Sequence, residues 1–344
     1  MSLLSKNICM KSYPKGMPNT DDFMMTTTNI TSAKSGEITV KNHWMSVDPY
    51  MRGRMSGIKT YIDPFAIGEP MEGGAVGEII HSGHPDYKVG DWIMTMLGWR
   101  EIFTAEIDSL KKTMLQKINP NLIPPQAFLG VAGMPGLTAY AGLYKVAEFK
   151  PSETVLVSGA AGAVGSTVCQ LAKADGAKVV GIAGSEEKCK WLESHGVDVA
   201  VNYKASENIT KSLQDALKTV GARGFDIYFD NVGGAMLEGA LNTMNMFGRI
   251  AACGMISQYN NDKPIPGPNN LVMIVGKSLK IQGFIVFNYQ KYALEYLDKL
   301  SPLMAAGKLV QQETIEHGIE NAPNAFLRLF SGDKQGKMLV KLGV

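Results

Sequence analysis

Three glycines spaced three apart, at 159, 162 and 165 in Ser158-Gly-Ala-Ala-Gly-Ala-Val-Gly-Ser166, carry the clearest chemistry in this chain. They follow a compact apolar run, Thr154-Val-Leu-Val-Ser158, and open a helix-length stretch rich in Ala, Leu and Val from Val164 to Lys173. A strand, a glycine turn and a helix in that order bring backbone close to a diphosphate with no Cβ in the way. The helix start then offers unpaired N–H groups and the positive end of its dipole. The spacing is G-x-x-G-x-x-G, not the strict dinucleotide fingerprint, so its weight comes from the strand before it and the helix behind it.

The tip of the next strand sets the kind of dinucleotide, because a carboxylate there binds a ribose 2′-hydroxyl and repels a 2′-phosphate. Here that strand, Lys178-Val-Val-Gly-Ile-Ala183, ends in Gly184-Ser185 with no acid at the tip. Glu186 and Glu187 sit just beyond it, where a helix start favours acids in any case, and Lys188 follows as a point charge within reach of a phosphate. NADPH is the expected cofactor.

Other chemistries find little support. The five histidines, His43, His81, His84, His195 and His317, show no metal-ligand pairing, and Gly83 and Pro85 make the His81–His84 stretch a surface turn. Cys9, Cys169, Cys189 and Cys253 are too scattered for a disulfide framework or a Cys-x-x-Cys zinc lobe, and read as small buried apolar groups. Thirty-four basic against thirty-two acidic residues leave a formal charge of +2, with no basic block to follow a nucleic acid backbone. The stretch from Met1 to Gly16 has no signal-peptide core, and no run of about 18 apolar residues occurs, so a cytoplasmic protein off the membrane is expected.

The elements that must position the glycine turn alternate regularly. After Thr154–Ser158 and Lys178–Ala183 come β-type runs at Asp198–Asn202, Phe225–Phe229, Arg249–Cys253 and Leu279–Gly283, with a helix over Glu186–Ser194. Parallel strands joined by right-handed crossover helices make a doubly wound α/β domain, placed at 131–299. Its Pro264–Asn270 stretch is a rigid loop. Before residue 130 the pattern is mostly β, with short runs at Glu37–Val40, Gly74–Ile80 and Asp91–Met96. A helix over Tyr292–Ala306 and a closing strand over Gly336–Val344 end the chain. With 344 residues, two domains are the natural division: 1–130 joined by 300–344, and 131–299 between them.

Several blocks, in order, resemble the zinc-independent prostaglandin and leukotriene reductase branch of the medium-chain dehydrogenase/reductases, which includes bacterial NADPH-dependent curcumin reductases. They are Ser46-Val-Asp-Pro-Tyr-Met-Arg52, Gly162-Ala-Val-Gly165, Gly184-Ser-Glu-Glu-Lys188, Asn202-Tyr-Lys204, Phe229-Asp-Asn-Val-Gly-Gly234 and Gly248-Arg-Ile250 with Cys253-Gly-Met-Ile-Ser-Gln-Tyr259. The resemblance implies a GroES-like β-rich catalytic domain built from both chain ends, a Rossmann domain between them, and an active site in the cleft. It gives Gly162, Ala163, Val164 and Gly165 to the pyrophosphate, and Lys188 and Tyr203 to the 2′-phosphate. Asn231, Cys253, Gly254, Ile256, Ser257 and Tyr259, with Phe284, Ile285 and Val286, resemble the lining of the nicotinamide and its ribose. Two departures stand out: Lys334 precedes Gln335-Gly336 where relatives often carry Asn, and Met71-Glu-Gly-Gly-Ala75 replaces the Gly-His-Glu of zinc-binding relatives, so no metal is expected.

The implied activity is reduction of the C=C bond of an α,β-unsaturated ketone. Hydride goes to the β-carbon, and hydrogen-bond donors meet the enolate oxygen. Tyrosine suits that task because its hydroxyl donates while neutral. The resemblance points to Tyr61, in Thr60-Tyr-Ile-Asp-Pro64, as oxyanion donor and proton source, and to Tyr259 beside the nicotinamide ribose; Tyr50 and Arg52 are read as fixing the loop around them. Twenty methionines, with Trp99, Phe284, Phe287 and Tyr289, allow a pocket for flat aromatic enones such as curcumin. A quinone or carbonyl reductase, or a non-catalytic NADPH-binding protein, are the other readings, and a homodimer is the expected assembly.

Overall fold

The computed structural model describes residues 3–343. Its first stretch runs β1 (Leu3–Met10), β2 (Phe23–Ile30), β3 (Glu37–Ser46), α1 (Met51–Arg54), β4 (Ala75–Ser82), β5 (Trp92–Thr95), β6 (Ile102–Glu106), α2 (Ile107–Thr113) and β7 (Leu115–Ile118). Alternation then sets in with α3 (Met134–Tyr140), which continues as a π-helical segment (Ala141–Val146), β8 (Thr154–Val157), α4 (Ala163–Ala174), β9 (Lys178–Ala183), α5 (Glu186–Ser194) and β10 (Val199–Asn202). It goes on through α6 (Ile209–Thr219), β11 (Phe225–Asp230), α7 (Gly234–Thr243), β12 (Met244–Ala252), α8 (Val272–Gly276), β13 (Lys280–Gly283) and α9 (Ala293–Ala305). The chain closes with β14 (Glu313–His317), α10 (Ala322–Ser331) and β15 (Lys337–Lys341).

Two compact units result. One takes the chain up to Leu129, then Glu313–Lys334 and the stretch from Met338; the other takes Gly130–Gln312 and Gln335–Lys337. The junction expected at 299/300 falls inside α9, which belongs wholly to the second unit.

The second unit is organised by a parallel sheet of six strands in the order β10-β9-β8-β11-β12-β13. Counted from β8, this is the doubly wound order 3-2-1-4-5-6, which reverses direction between β8 and β11. The central strands are largely apolar and buried because helices cover both faces: every residue of β8 is buried, and so are all but Asp226 of β11. Leu156, Val180, Ile182, Phe225, Tyr228 and Ile250 share one core with Leu213 and Leu217 of α6 and Leu237 and Leu241 of α7. One strand starts earlier than the sequence suggests: β12 begins at Met244, not Arg249. Its register against β11 jumps between Phe225↔Met244 and Ile227↔Arg249, and Phe247 takes a φ of 61° there. That irregularity hides the strand's first half from any period-two pattern.

In the first unit β1 and β2 pair antiparallel from Leu3↔Ile30 to Met10↔Phe23, a hairpin with no clear alternation to announce it. A second sheet has seven strands, in the order β14-β15-β3-β4-β5-β7, with β6 added on β3. The run expected at Glu37–Val40 extends to Ser46. Lys41-Asn42 breaks the apolar pattern, yet the buried Asn42 donates both amide hydrogens, to Leu97 O and Arg100 O at 2.9 Å each. The returning C-terminal stretch is part of this unit's core: β15 pairs with β3 (Leu339↔Ser46), and Phe326 of α10 meets the rings of Phe23 at 6.2 Å and Trp99 at 6.3 Å, edge to face. Trp99, expected among pocket-lining aromatics, is instead fully buried and stacked on Phe23.

Phe326→Ala removes a ring with no exposure from this cluster, and a cavity of that kind costs about 3–5 kcal/mol. Denaturant titration should show the first unit unfolding at lower denaturant; an unchanged profile would mean that α10 does not clasp the N-terminal strands.

Candidate functional site

The expected cofactor residues of the second unit all lie just past the C-terminal ends of its parallel strands. The glycine turn follows β8, Gly184 and Lys188 follow β9, and Tyr203 follows β10. Asn231 follows β11, Cys253 to Tyr259 follow β12, and Phe284 to Val286 follow β13. Loops at that edge, beside the reversal of strand order, are where open α/β sheets bind ligands.

At the glycine turn the chain doubles back within contact distance of itself. Gly159 has a φ of 58°, and a Cβ at Gly165 would stand 2.3 Å from Gly159 O. Gly162 is the N-cap of α4 and no side chain caps it, while Gly162, Ala163 and Val164 are half-exposed. A Cβ at Gly162 would meet only Gly159 O, at 3.2 Å, and would otherwise fill the open space over the helix start. The first amides of α4 therefore point at a cradle that suits a diphosphate. Gly336 closes its side by donating its N–H to Ala161 O at 2.8 Å.

At the tip of β9, Ser185 caps α5 by accepting from the Lys188 N–H at 3.3 Å. The Tyr203 ring lies so close over Gly184 that a Cβ there would be 3.1 Å from its Cε1. Gly184, Ser185, half-buried Lys188 and Tyr203 thus form one corner. Glu186, just past the tip of β9, accepts from Asn202 Nδ2 at 2.8 Å. A hydroxyl, an ammonium and a phenol with no strand-tip carboxylate fit a phosphate.

The loop after β11 and the segment after β12 are sewn together. Ile256 N–H donates to Asn231 O at 3.3 Å, and Ser257 donates to Val232 O through its N–H at 3.2 Å and its hydroxyl at 2.6 Å. Cβ atoms on Gly233 and Gly234, which have φ of 71° and 53°, would press on Met255 and Ser257. Tyr259 accepts from the Met255 N–H at 3.2 Å, which places its hydroxyl against Gly254. Burial and the nearby Asp230 push the Cys253 thiol up to about 12, so it stays neutral. Phe284 packs edge-on to Phe229 at 6.2 Å and Tyr289 at 5.9 Å, and it lies flat enough on Gly142 of the π-helical segment that a Cβ there would clash.

In the first unit, Tyr61 is 59 % exposed on a loop held from beneath by Arg54. Arg54 Nε donates to Asp63 O at 2.8 Å, its guanidinium covers the Phe65 ring at 4.0 Å, and Tyr13 donates to Phe65 O at 2.8 Å. Tyr50, read from sequence as fixing this loop, has a buried hydroxyl with no hydrogen-bond partner among the described residues. Burial, then Asp48, drives its pKa up, while Arg54 opposes the shift. The sequence reading missed two groups that the structure makes prominent: this withdrawn Tyr50 hydroxyl and the buried carboxylate of Asp230, which accepts four hydrogen bonds. Asp230 lay in a quoted block, Phe229-Asp-Asn-Val, but nothing in a one-dimensional string shows that four donors converge on it. Among the described residues no group of three or more His, Cys, Asp or Glu side chains could hold a metal ion.

Comparison with known proteins accords with this arrangement. A family model for the N-terminal domain of oxidoreductases matches residues 6–113, and one described as zinc-binding dehydrogenase matches residues 163–301. A 2-alkenal reductase (NADP(+)-dependent) of Nicotiana tabacum is 42% identical over 98% of this chain and 97% of its own. The NADPH-dependent curcumin reductase of Escherichia coli (strain K12) is 35% identical over 97% of this chain and 95% of its own. The crystal structure of CurA from Vibrio vulnificus in complex with NADPH superposes with a TM-score of 0.90 at 35% identity, covering 98% of this chain and 99% of that one. A strand order of 3-2-1-4-5-6 behind a glycine turn, a β-rich partner unit built from both chain ends, and full-length relatives at this identity place the chain in the medium-chain dehydrogenase/reductase family.

Proposed function

We propose that this enzyme reduces the carbon–carbon double bond of α,β-unsaturated ketones with NADPH. The observation that carries the reading is the corner at the tip of β9, where Ser185, Lys188 and Tyr203 gather without a strand-tip acid, beside the uncapped start of α4. That pair of features suits a dinucleotide with a 2′-phosphate, and full-length relatives named as NADP-dependent alkenal and curcumin reductases support it. When bound, NADPH supplies the hydride that the β-carbon of the enone accepts.

The chain's own residues supply the rest. Gly162, Ala163, Val164 and Gly165 hold the diphosphate; Lys188 and Tyr203 hold the 2′-phosphate. Asn231, Cys253, Gly254, Ile256, Ser257, Phe284, Ile285 and Val286 line the nicotinamide end. As the β-carbon gains its electrons, negative charge gathers on the carbonyl oxygen, and a preorganised donor there contributes on the order of 3 kcal/mol. Tyr61 is that donor and the proton source, and Tyr259 would hold the ribose at the nicotinamide end of the cofactor. Tyr50 is a second candidate donor, because its hydroxyl is already withdrawn from water with no partner to lose. The edge-on aromatics Phe284 and Tyr289, with Phe287 exposed nearby, favour flat, apolar, aryl-bearing enones of the curcumin kind.

The expected assembly is a homodimer. The strand β13 is the edge of the parallel sheet, and Val272 and Val275 of α8, with Phe247, leave large apolar side chains exposed around it. A bare apolar edge of this kind invites pairing with a second copy.

Three outcomes follow. Lys188→Ala should lower kcat/KM for NADPH by roughly ten- to a hundredfold, the loss of one charge-assisted contact, and leave that for NADH nearly unchanged; an unaltered cofactor preference would remove Lys188 from the phosphate site. Tyr61→Phe should cut turnover by roughly tenfold or more with a saturated ketone still the product. If Tyr50→Phe alone has that effect, the donor is Tyr50, whereas an allylic alcohol from the wild-type enzyme would make this a carbonyl reductase. Val275→Glu should shift the sedimenting species from dimer to monomer, and a wild-type monomer would dispose of the edge pairing.

A further inference from the structure

The carboxylate of Asp230, at the last position of β11, is 1% exposed and makes no salt bridge among the described residues. One of its oxygens, Oδ1, accepts four hydrogen bonds: from Ser158 Oγ at 3.0 Å, Tyr228 OH at 2.7 Å, Val232 N at 2.9 Å and Gly233 N at 2.8 Å. The other, Oδ2, is buried with no partner. A lone buried carboxylate of this kind is expensive unless its donors compensate it, and the compensation here falls on a single oxygen.

Apart from Tyr228, which lies within β11, the donors belong to the loops that flank the strand-order reversal. Ser158 heads the glycine turn, and its hydroxyl oxygen in turn accepts from the Asn231 N–H at 3.0 Å, with Tyr228 OH 2.9 Å away. Asn231 Nδ2 donates to Ser158 O at 2.8 Å. That bond holds the Asn231 side chain against the head of the glycine turn, with one amide hydrogen and the amide oxygen still to be satisfied. The main-chain oxygen of Asp230 accepts from Cys253 N at 2.9 Å and Gly254 N at 3.1 Å, which ties in the segment after β12. Burial and the adjacent Asp230 push the Tyr228 hydroxyl well up, so it remains a donor.

We infer that Asp230 is a positioning residue for the cofactor: through Ser158 and the Val232–Gly233 amides it sets the distance between the diphosphate turn and the nicotinamide loop, and it fixes Asn231 against the head of the glycine turn. This rests on the NADPH reading above. A carboxylate is needed because an amide would put two donors where Oδ2 finds no acceptor and would hold Oδ1's four donors without a charge. Asp230 touches neither hydride nor substrate, so its loss should weaken cofactor binding without slowing the bound complex in proportion.

The test measures NADPH dissociation constants by fluorescence titration, with KM and kcat, on the full-length chain. Asp230→Asn should raise the dissociation constant and KM for NADPH by about tenfold or more while kcat at saturation changes by less than about threefold. Ser158→Ala, which removes the hydroxyl linking Asp230 to Asn231, should give a smaller rise in the same direction, and Ser158→Thr should restore binding. The serine variants keep the test decisive if Asp230→Asn fails to fold. Wild-type NADPH affinity in Asp230→Asn, or in Ser158→Ala should the former not fold, would overturn the inference even with a lowered melting temperature, since that would leave only a packing role. A wild-type chain with no saturable NADPH affinity would defeat the cofactor reading itself, and this inference with it.

Discussion

The reversal of strand order between β8 and β11 governs what the second unit can do. The chain leaves β8 through α4 toward β9 on one side, and leaves β11 through α7 toward β12 on the other. Connections that part in this way uncover the C-terminal edge of the sheet between them. The uncapped start of α4 lies at that opening, the amides after Asp230 turn inward onto its carboxylate, and every segment expected to touch the cofactor ends there. Glycine at 165 is what makes the geometry possible, since any side chain would collide with Gly159 O and hold the helix off the strand.

Charge is distributed to match. The helix dipole and Lys188 favour phosphate, and Glu186, just past the tip of β9, accepts a hydrogen bond from Asn202. Asp230, buried under the loop after β11, commits one carboxylate oxygen to four internal donors. A negative group can therefore underlie an anion site without repelling the anion strongly, because its field is offset by four oriented dipoles. Aromatic packing completes the far side: Phe229 and Phe284 rest on Gly142, where the π-helical segment brings a residue without a side chain against them.

The first unit depends on a different constraint, the return of the chain's end. Without α10 and β15, the cluster around Phe23, Trp99 and Phe326 would lack its lid, and β3 would lack a partner. Within that frame Arg54, itself 6% exposed, holds the loop bearing Tyr61 through one backbone oxygen and one ring face. Few contacts hold the loop, and Tyr61 stays open to water, whereas Tyr50 is set against the packed body of the unit.

Much of this was legible in the residues themselves. The glycine spacing, the apolar strands and the bare tip at Ala183-Gly184-Ser185 are local facts, because backbone freedom, burial on both faces and the sign of a charge act within a few positions. The strands at the chain's start, the early onset of β12 and the burial of Trp99 were not legible, since each depends on a partner distant in sequence that overrides a weak local pattern. The role of Asp230 was hidden for the same reason. Three of its donors, at 228, 232 and 233, are near in sequence but converge only through the turn after β11, and the fourth, Ser158, arrives only because β8 folds beside β11. Composition and spacing determined which chemistry this chain can offer; the tertiary structure alone decided which hydroxyls lose their water and which carboxylate holds the loops, because burial and convergence are properties of packed surfaces.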